Sequence, residues 1–346
     1  MRKRGLVAFA ALLLCMATVL CSCTDNHVVS ETTTAQETSK EQETSTTQPE
    51  TKPQSKYSLQ DKLIALTFDD GPSYKTTNRI LDILEENGGA ATFFVVGYNI
   101  KNNISTIKRA VEMGCEIGNH SQGHAKLTEC KDAELRKQVD GPNKQLKELA
   151  GVDVKLFRTP GGHFKGVESK IGMPIIQWNV DTSDWKYKDA ANEDRTEEQR
   201  EADLKAIADK VVNNAEKGDI VLMHDIYGFT ADLCELIVPA LVEKGFKLVT
   251  VSEMYLAYGE ELKNGKVYYN IDTVAISLEP LEPGDYRVKT KGGVLNVRAK
   301  AEKTSESLVK LPNGTDVTVV KSIKGWSYVE YSNVKGWVNS RYLEKR

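Results

Sequence analysis

A chain of 346 residues and 38.4 kDa is too long for one small domain and suits roughly two. Its 40% apolar, 27% charged and 7% aromatic content excludes a wholly disordered chain, a collagen-like repeat and a polytopic membrane protein. The net charge of −3 conceals an acidic body, with 27 Lys and Arg against 37 Asp and Glu over residues 58–284, and a basic tail, with 13 against 6 over residues 285–346. Such a split implies two modules with different partners.

The chain opens with Arg2, Lys3 and Arg4, followed by an apolar run from Leu6 to Leu20 that ends in small residues. This is the pattern of a secretory signal, too short for a membrane span. Leu20-Cys21-Ser22-Cys23 resembles a lipobox, which implies residues 1–22 as a lipoprotein signal peptide and Cys23 as the lipidated residue, although Cys21 is unusual there. An ordinary cleaved signal is the alternative. Residues 23–57 are rich in Ser, Thr, Glu and Gln and read as a disordered linker, because they cannot bury enough apolar surface to offset chain entropy. A coil of that length reaches roughly 30–35 Å. Cys115, Cys130 and Cys234 remain in the body; their odd number and spacing match no disulfide or zinc module, and unpaired thiols are expected.

In chain order, Leu63–Phe68 is an apolar strand ending at Asp69-Asp70-Gly71-Pro72. Ile80, Leu81, Ile83 and Leu84 then form a helical stripe. Ala91–Gly97 is a second strand, and Lys108–Gly114 looks like a helix end. Cys115–Gly118 leads into Asn119-His120, Val154–Phe157 into Arg158, Ile175–Val180 into Asp181, and Ile220–Met223 into His224; Phe246–Val251 is a late strand. Strands alternating with helices predict parallel βα units. Polar residues recur just past each strand end, the rim on which α/β barrels assemble their sites.

The motifs TFDDGP (Thr67–Pro72), HSQGH (His120–His124), RTPGG (Arg158–Gly162), DTSDW (Asp181–Trp185) and LMH (Leu222–His224) resemble, in order, those of the polysaccharide deacetylases of the NodB-homology type, carbohydrate esterase family 4. The resemblance covers about residues 60–258 and implies a distorted (β/α) barrel over residues 58–258. His120 and His124, four apart, would share one side of a helical turn, within reach of one ion. The resemblance adds Asp70 as the third ligand and implies one divalent metal ion. Zinc is the default, and relatives also use cobalt, nickel or manganese.

Further roles follow from the same resemblance. Asp69 is the general base toward water, oriented by Arg158. The developing oxyanion takes a backbone N–H from Gly161, which stands where an aromatic is usual, so an apolar wall for the sugar is lost. His224 is the general acid, Asp184 holds its other nitrogen, and Trp185 lines the substrate groove or packs in the core. Asp181 reads as structural, and His163, just after RTPGG, as a solvated loop residue. The stretch Lys186–Gly218 is longer than usual and holds a capping box at Thr196–Gln199; it either shapes the cleft's edge or lengthens a surface helix, the second being slightly favoured.

Residues 259–284 read as a linker. From 285 to 346, many short strands suggest a small all-β barrel, and LNVRAKA, LPNGTDVTVV, GWSYVEY and KGWVNSRYL resemble a bacterial SH3 domain. That family binds cell-wall peptide, and the basic charge suits an anionic wall polymer; nucleic acid is not expected for a secreted chain. Taken together, the resemblances imply a metal-dependent hydrolase removing N-acetyl groups from cell-wall glycan, most simply peptidoglycan N-acetylglucosamine, acting outside the cytoplasm on a membrane anchor or as a secreted protein. Alternatives are a chitooligosaccharide deacetylase, an acetyl-xylan esterase, or a wall-binding protein without catalysis.

Overall fold

The computed structural model describes residues 54–188, 195–273, 278–303 and 305–346. The expected signal peptide, Cys23 and most of the N-terminal linker lie outside them. Elements of the first body are β1 (Lys62–Asp69), α1 (Tyr74–Glu86), β2 (Thr92–Val95), α2 (Gly97–Ile100), α3 (Ile104–Glu112), β3 (Glu116–Asn119), α4 (Asp132–Ala150), α5 (Glu168–Ile171), β4 (Ile175–Ile176), β5 (Val180–Asp181), α6 (Glu197–Asn214), β6 (Ile220–His224), α7 (Gly228–Glu243), β7 (Phe246–Leu248), α8 (Val251–Ala257) and β8 (Val267–Tyr268).

β1 is apolar on both faces because both are covered. Ile64, Leu66 and Phe68 pack beneath α1 and α7, while Leu63 and Ala65 join an inner cluster with Phe94, Leu156, Ile176 and Ile220. The strands run parallel in the order β5-β6-β1-β2-β3, with β7 on the first half of β1. Single bridges carry the ladder from Asn119 through Phe157 to Ile175, and β4 pairs with β8. β4 leads directly into β5 through residues 177–179, so the ends of the ladder are joined by the chain itself. This is the distorted (β/α) barrel of the NodB type.

Several strands are shorter than expected, for local reasons. Val154–Phe157 contributes only the Phe157 bridges. The run Ile175–Val180 breaks into β4 and β5, where the Gln177 carbonyl accepts from Arg158 and the Asn179 side chain turns to Asp219 and the Ile220 N–H. The strand from Phe246 ends at Leu248 because the Thr250 hydroxyl caps α8, accepting from Glu253 N–H at 3.1 Å. The stretch read as a linker after residue 258 carries β8 and buries Ile271 in the inner cluster. At the other end, Tyr57, read as disordered linker, packs against that cluster, and Ser55 hydrogen-bonds Glu253. In the 186–218 stretch the Thr196–Gln199 capping box forms, and Leu204, Ala208 and Val211 pack α6 into the outer cluster. That makes it a helix of the outer layer; its residues 189–194 lie outside the described ones.

The second body is a seven-stranded antiparallel sheet: β9 (Gly284–Val288), β10 (Val294–Arg298), β11 (Ser307–Pro312), β12 (Asp316–Ile323), β13 (Trp326–Tyr331), β14 (Val334–Asn339) and β15 (Leu343–Lys345), in the order β11-β10-β14-β13-β12-β9-β15. Val288, Val297, Leu311, Val319, Val329 and Val338 fill its core. Polar contacts join it to the first body, among them Arg341 and Asn339 on Asp272, and Lys303 on Asn270. Cys115, Cys130 and Cys234 are free thiols, and burial raises those of Cys115 and Cys234. Among the described residues no helix is long and apolar enough to cross a membrane.

Candidate active site

Alternation along β1 turns Leu63, Ala65, Thr67 and Asp69 inward, so Asp69 crowns the inner face at the strand's C-terminal end. Alternation alone would send Asp70 to the other side. Its left-handed backbone (φ 74°) breaks the period and brings it to the same rim. Two hydrogen bonds hold this corner: the Asn99 side chain donates to the Asp70 carbonyl at 2.8 Å, and Val96 N–H to the Gly71 carbonyl at 2.9 Å.

His120 follows β3 directly. The stretch to His124 is not the helical turn that the four-residue spacing predicts. It is a loop with Ser121 (φ 70°) and His124 (φ 56°) both left-handed. Three neighbours impose that shape: the Asn119 carboxamide accepts from Ser121 N–H at 2.7 Å, Gly97 N–H donates to the Ser121 carbonyl, and Gln138 accepts from Gly123 N–H at 3.0 Å. The outcome expected of the spacing is nevertheless met, since both imidazoles face one carboxylate.

Asp70 Oδ1 lies 3.5 Å from His120 Nε2 and 3.3 Å from His124 Nε2. It is buried, with no hydrogen-bond partner among the described residues. A buried carboxylate oxygen in that position is costly unless a cation satisfies it, and two imidazole nitrogens with one carboxylate are a donor set suited to a divalent ion with a position left open. His120 Nδ1 sits 2.9 Å from the Arg158 carbonyl, which fixes the N–H there and leaves Nε2 as the ligand atom. Burial lowers the His120 pKa against the pull of Asp69 and Asp70, which favours the neutral ring that binds metal. The residues fit the metal.

Asp69 and Arg158 are both buried. Arg158 Nη1 donates to Asp69 Oδ1 and to Thr67 Oγ1, each at 2.8 Å; Nε and Nη2 donate to the Ile176 and Gln177 carbonyls, and the guanidinium lies 4.2 Å from the Phe94 ring centroid. Asp69 Oδ2 is left facing His120 Nε2 at 3.6 Å. His224 stands opposite Asp69 in the β1–β6 register. Asp184, fully buried, takes His224 Nδ1 at 2.8 Å on one oxygen, and His224 N–H at 2.7 Å and Thr230 Oγ1 at 2.6 Å on the other. Burial alone would lower the His224 pKa, but the Asp184 hydrogen bond and the charges of Asp184, Asp69 and Asp70 outweigh it and raise it to about 9. Gly161 is exposed, and its N–H has no acceptor among the described residues. Trp185 is 44% exposed and does not pack in the core. Asp181 accepts from Ser183 N–H, a structural use.

Sequence reasoning missed Asn119, Gln138, Thr230 and Asp225. Asp225 is buried, accepts from Thr77 Oγ1, and is pushed by burial up to about 7. A Cβ on Gly71 would lie 2.2 Å from Asp225 Oδ2, so only glycine fits beside Asp70. The one available signal was position: a polar residue directly adjoining a motif residue, as in Asn119-His120 and His224-Asp225.

The profile of the polysaccharide deacetylase family matches residues 56–170, and that of the bacterial SH3 domain residues 293–344. The chain is 37% identical over 219 residues to a peptidoglycan-N-acetylglucosamine deacetylase of Listeria monocytogenes, covering 63% of this chain and 43% of that protein. It is 39% identical over 194 residues to a peptidoglycan-N-acetylmuramic acid deacetylase of Bacillus subtilis, covering 56% and 38%. It thus spans less than half of either. A solved structure of the peptidoglycan deacetylase PdaC from Bacillus subtilis superposes with a TM-score of 0.52 at 37% identity, covering 58% of this chain and 93% of that one. The chain belongs to the polysaccharide deacetylase family and carries a bacterial SH3 domain at its C-terminal end.

Proposed function

We propose that the chain is a metal-dependent hydrolase that removes N-acetyl groups from the amino sugars of cell-wall glycan, with peptidoglycan N-acetylglucosamine as its substrate. One observation carries this reading: an Asp–His–His cluster has on its flanks one carboxylate with an oxygen left toward it, Asp69, and one imidazole held through Nδ1 by a buried carboxylate, His224. Zinc is the ion we assign to Asp70, His120 and His124, although cobalt, nickel or manganese suit the same donors. When bound, the ion supplies Lewis acidity, easing the deprotonation of a water and polarising the acetamide carbonyl.

The chain's own residues do the rest. Asp69 Oδ2 takes the proton from water, while Arg158 keeps Oδ1 in place. The Gly161 N–H donates to the carbonyl oxygen as negative charge grows there. His224, protonated at neutral pH, delivers its proton from Nε2 to the departing nitrogen, and Asp184 fixes its tautomer through Nδ1. Water adds across the amide C–N bond, leaving acetate and a free amine. Trp185 offers the sugar an exposed ring.

The wider organisation is part of the same proposal: a signal over residues 1–22, Cys23 as membrane anchor, a linker, the catalytic barrel, and an SH3 domain holding wall peptide or an anionic wall polymer. Mass spectrometry of muropeptides after incubation with the zinc-loaded protein tests the reaction. Deacetylated N-acetylglucosamine, lost on chelation and restored by zinc, is the expected result. Intact glycan under every metal condition would sink it, and deacetylation confined to muramic acid would move the substrate to the other sugar.

A further inference from the structure

We infer that His163 is a specificity-determining residue of this site, its imidazole forming the substrate-facing wall over the Gly161 peptide that a side chain at position 161 would otherwise provide. The inference rests on the reading of Gly161 as an oxyanion donor.

The turn carrying both residues is tied to the site twice. Arg158 pairs with Asp69, and its carbonyl accepts from His120 Nδ1–H at 2.9 Å, fixing the residue that leads into the turn beside the Asp–His–His cluster. Gly161 then adopts φ 61° and presents a free N–H. Gly162 (φ 72°) swings the chain back, and His163 N–H closes the turn on the Pro160 carbonyl at 3.3 Å. The result folds the imidazole over Gly161. A Cβ built on Gly161 would lie 3.1 Å from His163 Cδ2 and 3.3 Å from Nε2, so the ring already occupies the space of a residue-161 side chain.

His163 is exposed, and among the described residues its ring makes no hydrogen bond. The Cδ2–Nε2 edge lies against the glycine, which leaves Nδ1 on the other edge of an exposed residue. A flat ring next to a free peptide N–H suits an acetamide lying on the turn, its oxygen on the N–H and its sugar against the imidazole. The polar edge adds a requirement that an apolar wall would not make: a hydroxyl on the sugar beside the acetamide. The ligand class is therefore an N-acetylhexosamine rather than a simple amide.

The test uses zinc-loaded full-length protein and N-acetylated chitopentaose. His163→Ala is expected to raise KM about 5- to 10-fold with kcat within about twofold, and His163→Phe to recover most of the loss by restoring the wall. The same ratios are expected in the dissociation constant measured by calorimetry in an Asp69→Asn background. An unchanged KM in His163→Ala, a fall in kcat alone, or a Phe variant as weak as Ala overturns the inference. The binding arm separates it from the parent reading. These binding ratios with no acetate released from either the pentamer or peptidoglycan overturn the deacetylase assignment alone, and a wild type that neither binds nor deacetylates either glycan overturns both.

Discussion

Asp69 and Asp184 are both buried carboxylates at the C-terminal rim of the barrel, yet their partners prepare them for different tasks. Asp69 is paired with a permanent cation, Arg158, through one oxygen, and keeps the other toward the metal cluster. Asp184 spends both oxygens, on two groups of His224 and on Thr230. The first has a place to accept a proton; the second has none and serves to hold another residue and raise its pKa. Residue type therefore says little about role at this rim, whereas the count of committed oxygens says a great deal.

The hardest test of that contrast replaces the two neighbouring aspartates separately. Asp69→Asn is expected to cut kcat by about 10³–10⁴-fold while zinc still binds with ordinary affinity, because the ligand set is untouched. Asp70→Asn should lose zinc, read by calorimetry, and activity with it. Equal metal loss in both variants would erase the distinction.

A smaller effect is expected on the other flank. Asp184→Asn should lower kcat about 10²-fold and move the alkaline limb of the pH–rate profile downward, since Asp184 is what raises the His224 pKa. The sign for stability is the same. In metal-free protein His224 has a folded pKa of about 9 above an ordinary value of 6.5, so its contribution is complete below about 6.5 and is lost as pH rises through about 9. Denaturation curves across that window should flatten in Asp184→Asn.

The mildest change is Arg158→Lys. It keeps a charge near Asp69 but cannot reproduce the fork that reaches Thr67, Ile176 and Gln177. About a 10-fold loss of kcat is expected, with a lower melting temperature and zinc affinity unchanged. Wild-type kcat in this variant would show that Asp69 needs charge but not orientation.

Much of this was legible in the chain itself. Apolar runs ending at Asp69, His120 and His224 marked strands, and the barrel bears that out, whereas the run before Arg158 forms only the bridges of Phe157. What misled was local spacing. His120 and His124 at four residues apart read as a helical turn, but Asn119, Gln138 and the start of α2 hold them in a left-handed loop. Tyr57 and Ile271 were assigned to linkers on composition, although each finds apolar partners on the barrel.

Sequence by itself determined which polar groups stand at the strand ends, because their identities and order are those of a strand-end rim and no packing can change a side chain's donors. Tertiary structure alone decided how each is used: which oxygen of Asp69 stays free, why Asp70 turns to the same face, and that His163 fills the space left by Gly161. Those outcomes depend on left-handed backbone at single residues and on partners scores of positions away, and both are settled by what packs around them.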